Sequence, residues 1–139
     1  MSRLQTATLR YAHPDPPSWT VRLDVEHPPE AGTFVLADLE GPVREPLFPS
    51  SVDDGSFSTT VAPGHPLTRR LPGTEISLMG PLGHGFRVSV LDRLLLVAEV
   101  DLLPLLRPLF EAASSVVLVV EATTRAQLPA PSQFPPALE

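Results

Sequence analysis

The residues best placed to hold a charged ligand in this chain stand together in Gly80-Pro81-Leu82-Gly83-His84-Gly85-Phe86. Three glycines within six residues, with a proline among them, specify a loop whose backbone comes unusually close to something. That something is either a neighbouring strand or a phosphate-bearing ligand. His84 is the ionisable group of the loop and is suited to proton transfer. Other reactive residue types are scattered. His13 and His65 have no partner at metal-ligand spacing. Ser50, Ser56 and Ser58 lack the G-x-S-x-G setting of a serine nucleophile. Asp53-Asp54 runs into Gly55 and reads as a turn, and Arg69-Arg70 reads as the solvated face of another.

Composition narrows what such a loop could serve. The chain has 139 residues, enough for one ordinary domain or a domain with an appendage, and 42% of them are hydrophobic, enough for a real core. Eighteen prolines disfavour long helices and favour short strands, tight turns and an extended tail. The ten basic residues are all arginine, and the net charge is −6, which argues against nucleic acid or an anionic membrane as partner. The absence of cysteine removes disulfides, thiolate chemistry and cysteine-ligated iron–sulfur clusters. The amino-terminal MSRLQTATLRYAH has no continuous apolar region, and no stretch approaches the ~20 apolar residues of a membrane span. These features predict a cytoplasmic protein.

The elements that must position the loop are short. Thr6–Tyr11 alternates weakly, His13–Pro17 reads as a connector, and Trp19–Val25 alternates clearly, with Trp19, Val21, Leu23 and Val25 on one face. Thr33–Leu39 is the next strand, Glu40–Ser51 a loop or interrupted edge, and Ser56–Val61 and Glu75–Met79 two further strands. His65–Leu71 has room for one helical turn. About six strands with a turn signal every 8–12 residues predict an antiparallel Greek-key barrel over residues 1–90. The pattern then switches. Leu94–Ala98 and Val116–Val120 are apolar throughout, as in strands covered on both faces, and Asp101–Ala113 reads as a helix capped by Asp101 and kinked by Pro108. Together they predict one parallel βαβ unit over 91–122, followed by a Pro-rich tail, 123–139.

This order of elements resembles the ferredoxin-reductase-like flavoproteins, and at residue level the branch with the dihydroorotate dehydrogenase electron-transfer subunits. Ala31-Gly32-Thr33-Phe34-Val35 is similar to that branch's P-G-Q-F-V. Leu71-Pro72-Gly73-Thr74 and then GPLGHGF resemble R-P-G-D…G-P-L-G-N-G-F. Leu94–Leu109 resembles L-V-A-G-G-V-G-I-A-P-L-L-P-L. The resemblance spans roughly residues 20–120 and implies a flavin domain followed by a truncated nucleotide domain. It assigns a flavin (FAD or FMN) to Arg44, Ser50, Gly64, Thr68, Gly83 and Gly85.

Departures from that pattern redirect the functional expectation. Glu45 follows Arg44 where a pyrophosphate would lie, and Pro66 removes a backbone donor from the turn after Gly64. Ala98-Glu99-Val100-Asp101 stands where a pyridine nucleotide needs glycines, so NAD is not expected. The leading expectation is a degenerate relative without redox catalysis, acting as an interaction or regulatory protein. A minimal flavin-binding electron-transfer protein and a small-molecule binding barrel are the alternatives. The two apolar strands need more cover than one helix supplies, which predicts a homodimer through residues 94–120.

Overall fold

A computed structural model describes residues 3–139; Met1 and Ser2, within the amino-terminal stretch read above, lie outside the described residues. The chain forms two compact units, one ending at Phe86 and the other running from Arg87 to Glu139.

The first unit is a seven-stranded sheet. Its strands are β1 (Leu4–Asp15), β2 (Ser18–Asp24), β3 (Phe34–Ala37), β4 (Glu45–Leu47), β5 (Ser51–Asp53), β6 (Ser56–Val61) and β7 (Glu75–Leu82). They lie in the order β4-β3-β7-β1-β2-β6-β5, every pair antiparallel. This corrects the expectation of six strands in a closed barrel. The seventh strand arises because Glu45–Leu47, within Glu40–Ser51, and Ser51–Asp53, which runs into the residues read as a turn, are two separate three-residue edge strands, too short to show an alternation. No ladder joins β4 to β5 among the described residues, so the sheet is open.

The sheet is nevertheless strongly curled, because the short link between its two edges requires it. β4 and β5 are its two outer strands, yet only Phe48, Pro49 and Ser50 join them. Such a link spans at most ~14 Å, whereas a flat seven-stranded sheet would hold its edges ~29 Å apart. The link is tied to β6 as well: Ser50 N–H donates to Ser58 O at 2.8 Å, and Thr59 Oγ1 donates to Phe48 O at 2.7 Å. The curl encloses Ala7, Leu9, Val21, Leu23, Val35, Ala37, Phe57, Leu67, Ile76 and Leu78, all buried.

Two strands run further than the sequence reading placed them. β1 continues through His13-Pro14-Asp15, read as a connector, with Pro14 opposite Trp19. Past Leu9 its β7 side has no partner strand, so the N–H that proline lacks is not missed there. β7 continues past Met79 through Gly80 and Pro81 to Leu82, which pairs with Phe34.

The outer face of β2 carries Arg22, which is 7% exposed. Its guanidinium donates to Ser51 Oγ, Ser58 Oγ and Ser56 Oγ at 3.3, 3.0 and 2.7 Å, and it also pairs with Asp53. One arginine thereby ties β2 to the β5–β6 hairpin, whose turn is Asp54-Gly55 with Gly55 at φ +74°.

The second unit is a parallel pair, β8 (Arg93–Glu99) and β9 (Ser115–Glu121), in register from Arg93 opposite Ser115 to Glu99 opposite Glu121. Between them lie a 3₁₀ turn (Val100–Leu102), a four-residue helix α1 (Leu103–Leu106) and another 3₁₀ turn (Arg107–Leu109). Pro108 accounts for the break. Leu102, not Asp101, precedes α1, and no side chain caps it. Residues after Thr123 fold back onto this unit. Phe134 and Leu138 join its core, the Phe134 ring lies 5.8 Å from that of Phe110, and Glu139 pairs with β9 through Leu118 N–H and Val116 O at 2.7 and 3.1 Å. The helical segment and this return cover one face of the pair. The other keeps Leu95 and Val97 about two-thirds exposed, against the expectation of strands covered on both faces.

Candidate functional site

The glycine loop belongs to the first unit and its close neighbour is protein backbone. Gly80 has φ +135°, and a Cβ there would stand 3.1 Å from Phe34 O and 3.3 Å from Val35 Cα. Gly32, on the facing loop, has φ +85°, and a Cβ would meet Phe86 N at 2.9 Å. Phe86 N–H donates to Ala31 O at 3.1 Å, closing the two loops on each other. Of the two loop residues assigned to flavin, Gly83 would place a Cβ 3.4 Å from the Phe34 ring, and Gly85 would place one 3.2 Å from Ala31 O and 3.5 Å from Glu30 Oε2. A neighbouring strand and its loop thus account for the glycines, and a carboxylate stands beside Gly85.

Arg44 precedes β4 and turns across the sheet. Its guanidinium donates to Leu36 O at 3.4 Å, Ser77 O at 3.1 Å and Ser77 Oγ at 3.2 Å, clamping the β4 edge over β3 and β7. Ser50 gives its hydroxyl to Ser58 O at 3.2 Å. Gly64 has φ +83° with open space where a Cβ would be, and its carbonyl accepts from Arg69 Nη1 at 2.8 Å.

Gly64 leads into a 3₁₀ turn, Pro66–Arg69, whose first N–H groups would ordinarily be free for an anion. Here each has a partner. Pro66 has no N–H. Leu67 N–H donates to His65 Nδ1 at 3.2 Å, and Thr68 N–H donates to His65 O at 2.9 Å. The Thr68 hydroxyl donates to the same carbonyl at 2.6 Å. Because Nδ1 accepts, the network assigns the ring proton to Nε2, which faces Glu45 Oε2 at 3.0 Å. His65 therefore caps the turn with one nitrogen and reaches β4 with the other.

The structure brings together residues that the sequence reading kept apart. Glu45 and His65 are 20 positions distant and meet because β4 curls over the turn. Phe34, packed on Gly83, also lies 5.3 Å from the ring of Phe48, linking the glycine loop to the segment between β4 and β5. Arg44, Ser50, Gly64 and Thr68 each bond to protein atoms, and no partner is shared among them. His84 has no hydrogen-bond partner among the described residues, and no three His, Asp or Glu side chains converge there.

In the second unit β8 ends on Glu99 and the turn after it carries Asp101, both exposed, and the helix that follows has four residues. Among the described residues no helix is long and apolar enough to cross a membrane.

No protein-family model and no curated protein sequence matches this chain. Solved structures do. One is the NADH-dependent reduced ferredoxin-NADP oxidoreductase of flavin-based electron bifurcation, with TM-score 0.73 and 20% identity over 93% of this chain and 52% of that one. Another is the ferredoxin reductase of carbazole 1,9a-dioxygenase, with TM-score 0.76 and 17% identity over 99% of this chain and 48% of that one. The chain spans about half the length of these structures. At such identities the likeness is one of fold, and this chain shares the fold of these two ferredoxin reductase structures over most of its length.

Proposed function

We propose that this chain is a ferredoxin-reductase-like module that has kept the fold and given up flavin and pyridine-nucleotide chemistry, and that it acts as an interaction or regulatory protein. Within that fold we place it nearest the dihydroorotate dehydrogenase electron-transfer branch, on the GPLGHGF loop and the order of its motifs.

The contact between Glu45 and His65 carries this reading. A flavin pyrophosphate needs free donors and positive potential, and the residues assigned to it do not fit that need. The turn's donors are spent on His65, the Arg44 guanidinium on Ser77 and Leu36, and the Arg69 guanidinium on Gly64 and Glu40, while the Glu45 carboxylate faces the turn. Bringing a pyrophosphate beside Glu45 would add like charge in a partly buried place. Glu30 puts a second carboxylate beside Gly85. In the other unit, Glu99 and Asp101 and a four-residue helix offer a dinucleotide neither glycines nor a useful dipole.

The fold likeness to flavoenzymes favours one alternative, a minimal electron-transfer flavoprotein. The absorbance of the purified protein separates the two. A colourless preparation agrees with the proposal, and a yellow one with bound FAD or FMN overturns it in favour of the alternative.

A further inference from the structure

The parallel pair presents an open face with an ordered pattern of side chains. In-register pairing places Arg93 with Ser115, Leu95 with Val117, Val97 with Val119, and Glu99 with Glu121. Alternation puts these odd-numbered residues on one side, away from the buried Leu96 and Val116. Leu95 is 67% exposed, Val97 65% and Val119 49%. The face is thus apolar in the middle, cationic at one end and doubly anionic at the other. None of Arg93, Glu99 and Glu121 has an ion-pair partner among the described residues. The outer edge of β9 is already taken at Val117 by Glu139.

We infer that this face packs against the same face of a second copy, with the strands of the two copies antiparallel. A two-fold axis lying between two stacked sheets, perpendicular to the strands, brings Arg93 of each copy over Glu99 and Glu121 of the other and apposes the apolar centres. A parallel stack would set arginine against arginine and four carboxylates together, so the charge pattern selects the antiparallel one. Two strands offer a face on the order of 250 Å², well under the ~800 Å² per partner of a standard stable interface. The association is therefore weak and transient. This inference goes beyond the proposed function and stands whether or not flavin binds.

Sedimentation of the whole chain from about 5 to about 500 μM tests it, alongside R93E and the double variant E99R/E121R. The wild-type mass should rise towards twice the monomer across this range. Each charge variant alone should associate at least about tenfold more weakly, because both ends of its interface become repulsive. An equimolar mixture of the two variants should recover the dimer, since every clash becomes a pair in the mixed species. The double variant L95Q/V97Q, which keeps the charges, should stay monomeric. All substitutions are at exposed positions, and unchanged circular dichroism and melting establish that each variant folds. A wild-type chain that stays monomeric, variants that associate like wild type, or a mixture that fails to recover would each overturn the inference.

Discussion

Glu45 Oε2 meets His65 Nε2 at 3.0 Å while His65 Nδ1 accepts from Leu67 N–H at 3.2 Å, so one imidazole both caps a turn and anchors an edge strand. The pair ties β4, which makes only three residue pairs with β3, to the body of the sheet. It also puts a carboxylate beside a turn whose first donors have partners, which is the basis of the proposal that no anion is held there.

His65→Ala removes the cap and the contact with Glu45 together. Chemical denaturation should register a loss of about 1–2 kcal/mol. Glu45→Ala, whose side chain is 42% exposed, should cost less than about 1 kcal/mol. The double variant should cost less than the sum of the two, because the singles share one interaction.

Arg22→Ala should be among the costlier single changes on the outer face of the sheet, about 2–4 kcal/mol by the same measurement. It strands the buried hydroxyls of Ser56 and Ser58 and opens space between β2 and the β5–β6 hairpin. Asp53→Ala should cost under about 1 kcal/mol although it breaks an ion pair, because the Asp53 side chain is 69% exposed.

The glycines should separate by their surroundings. Gly64→Ala costs only the positive φ, about 1 kcal/mol, since nothing lies within 4 Å of the new Cβ. Gly80→Ala adds contacts at 3.1–3.3 Å with backbone that cannot swing aside, and should cost about 2–4 kcal/mol. Equal melting temperatures for the two variants would contradict the close-approach explanation of the loop.

Much of the fold is readable in the chain, and the gaps have definite causes. The alternation of Trp19–Val25, the Asp54-Gly55 turn and the strand–helix–strand order after Arg93 all express local periodicity or turn chemistry, and the structure has each of them. The passage of β1 through Pro14 depends on the neighbouring edge being empty, a fact of topology. The three-residue strands β4 and β5 exist because partners are presented to them, not because Glu45-Pro46-Leu47 or Ser51-Val52-Asp53 favours extension. For the site, spacing identifies a loop whose glycines demand close approach but does not name the neighbour, which proves to be residues 31–35. The Glu45–His65 contact was not legible, because it requires the curl that brings two distant segments together.

Removing residues 134–139 should affect the second unit selectively. The truncation deletes the Phe134 ring, Leu138 and the Glu139 pairing with Val116 and Leu118. Hydrogen exchange should quicken in β8 and β9, while amides of β2 and β6 keep their protection.

The central claim is that the fold persists without the flavin site. Its most direct test is equilibrium titration of the purified chain with FAD, and separately with FMN, followed by flavin fluorescence and calorimetry. The account predicts no saturable binding up to about 100 μM flavin, with Glu45→Gln no better than wild type because the turn's donors stay occupied. Stoichiometric binding in the micromolar range or tighter would contradict it.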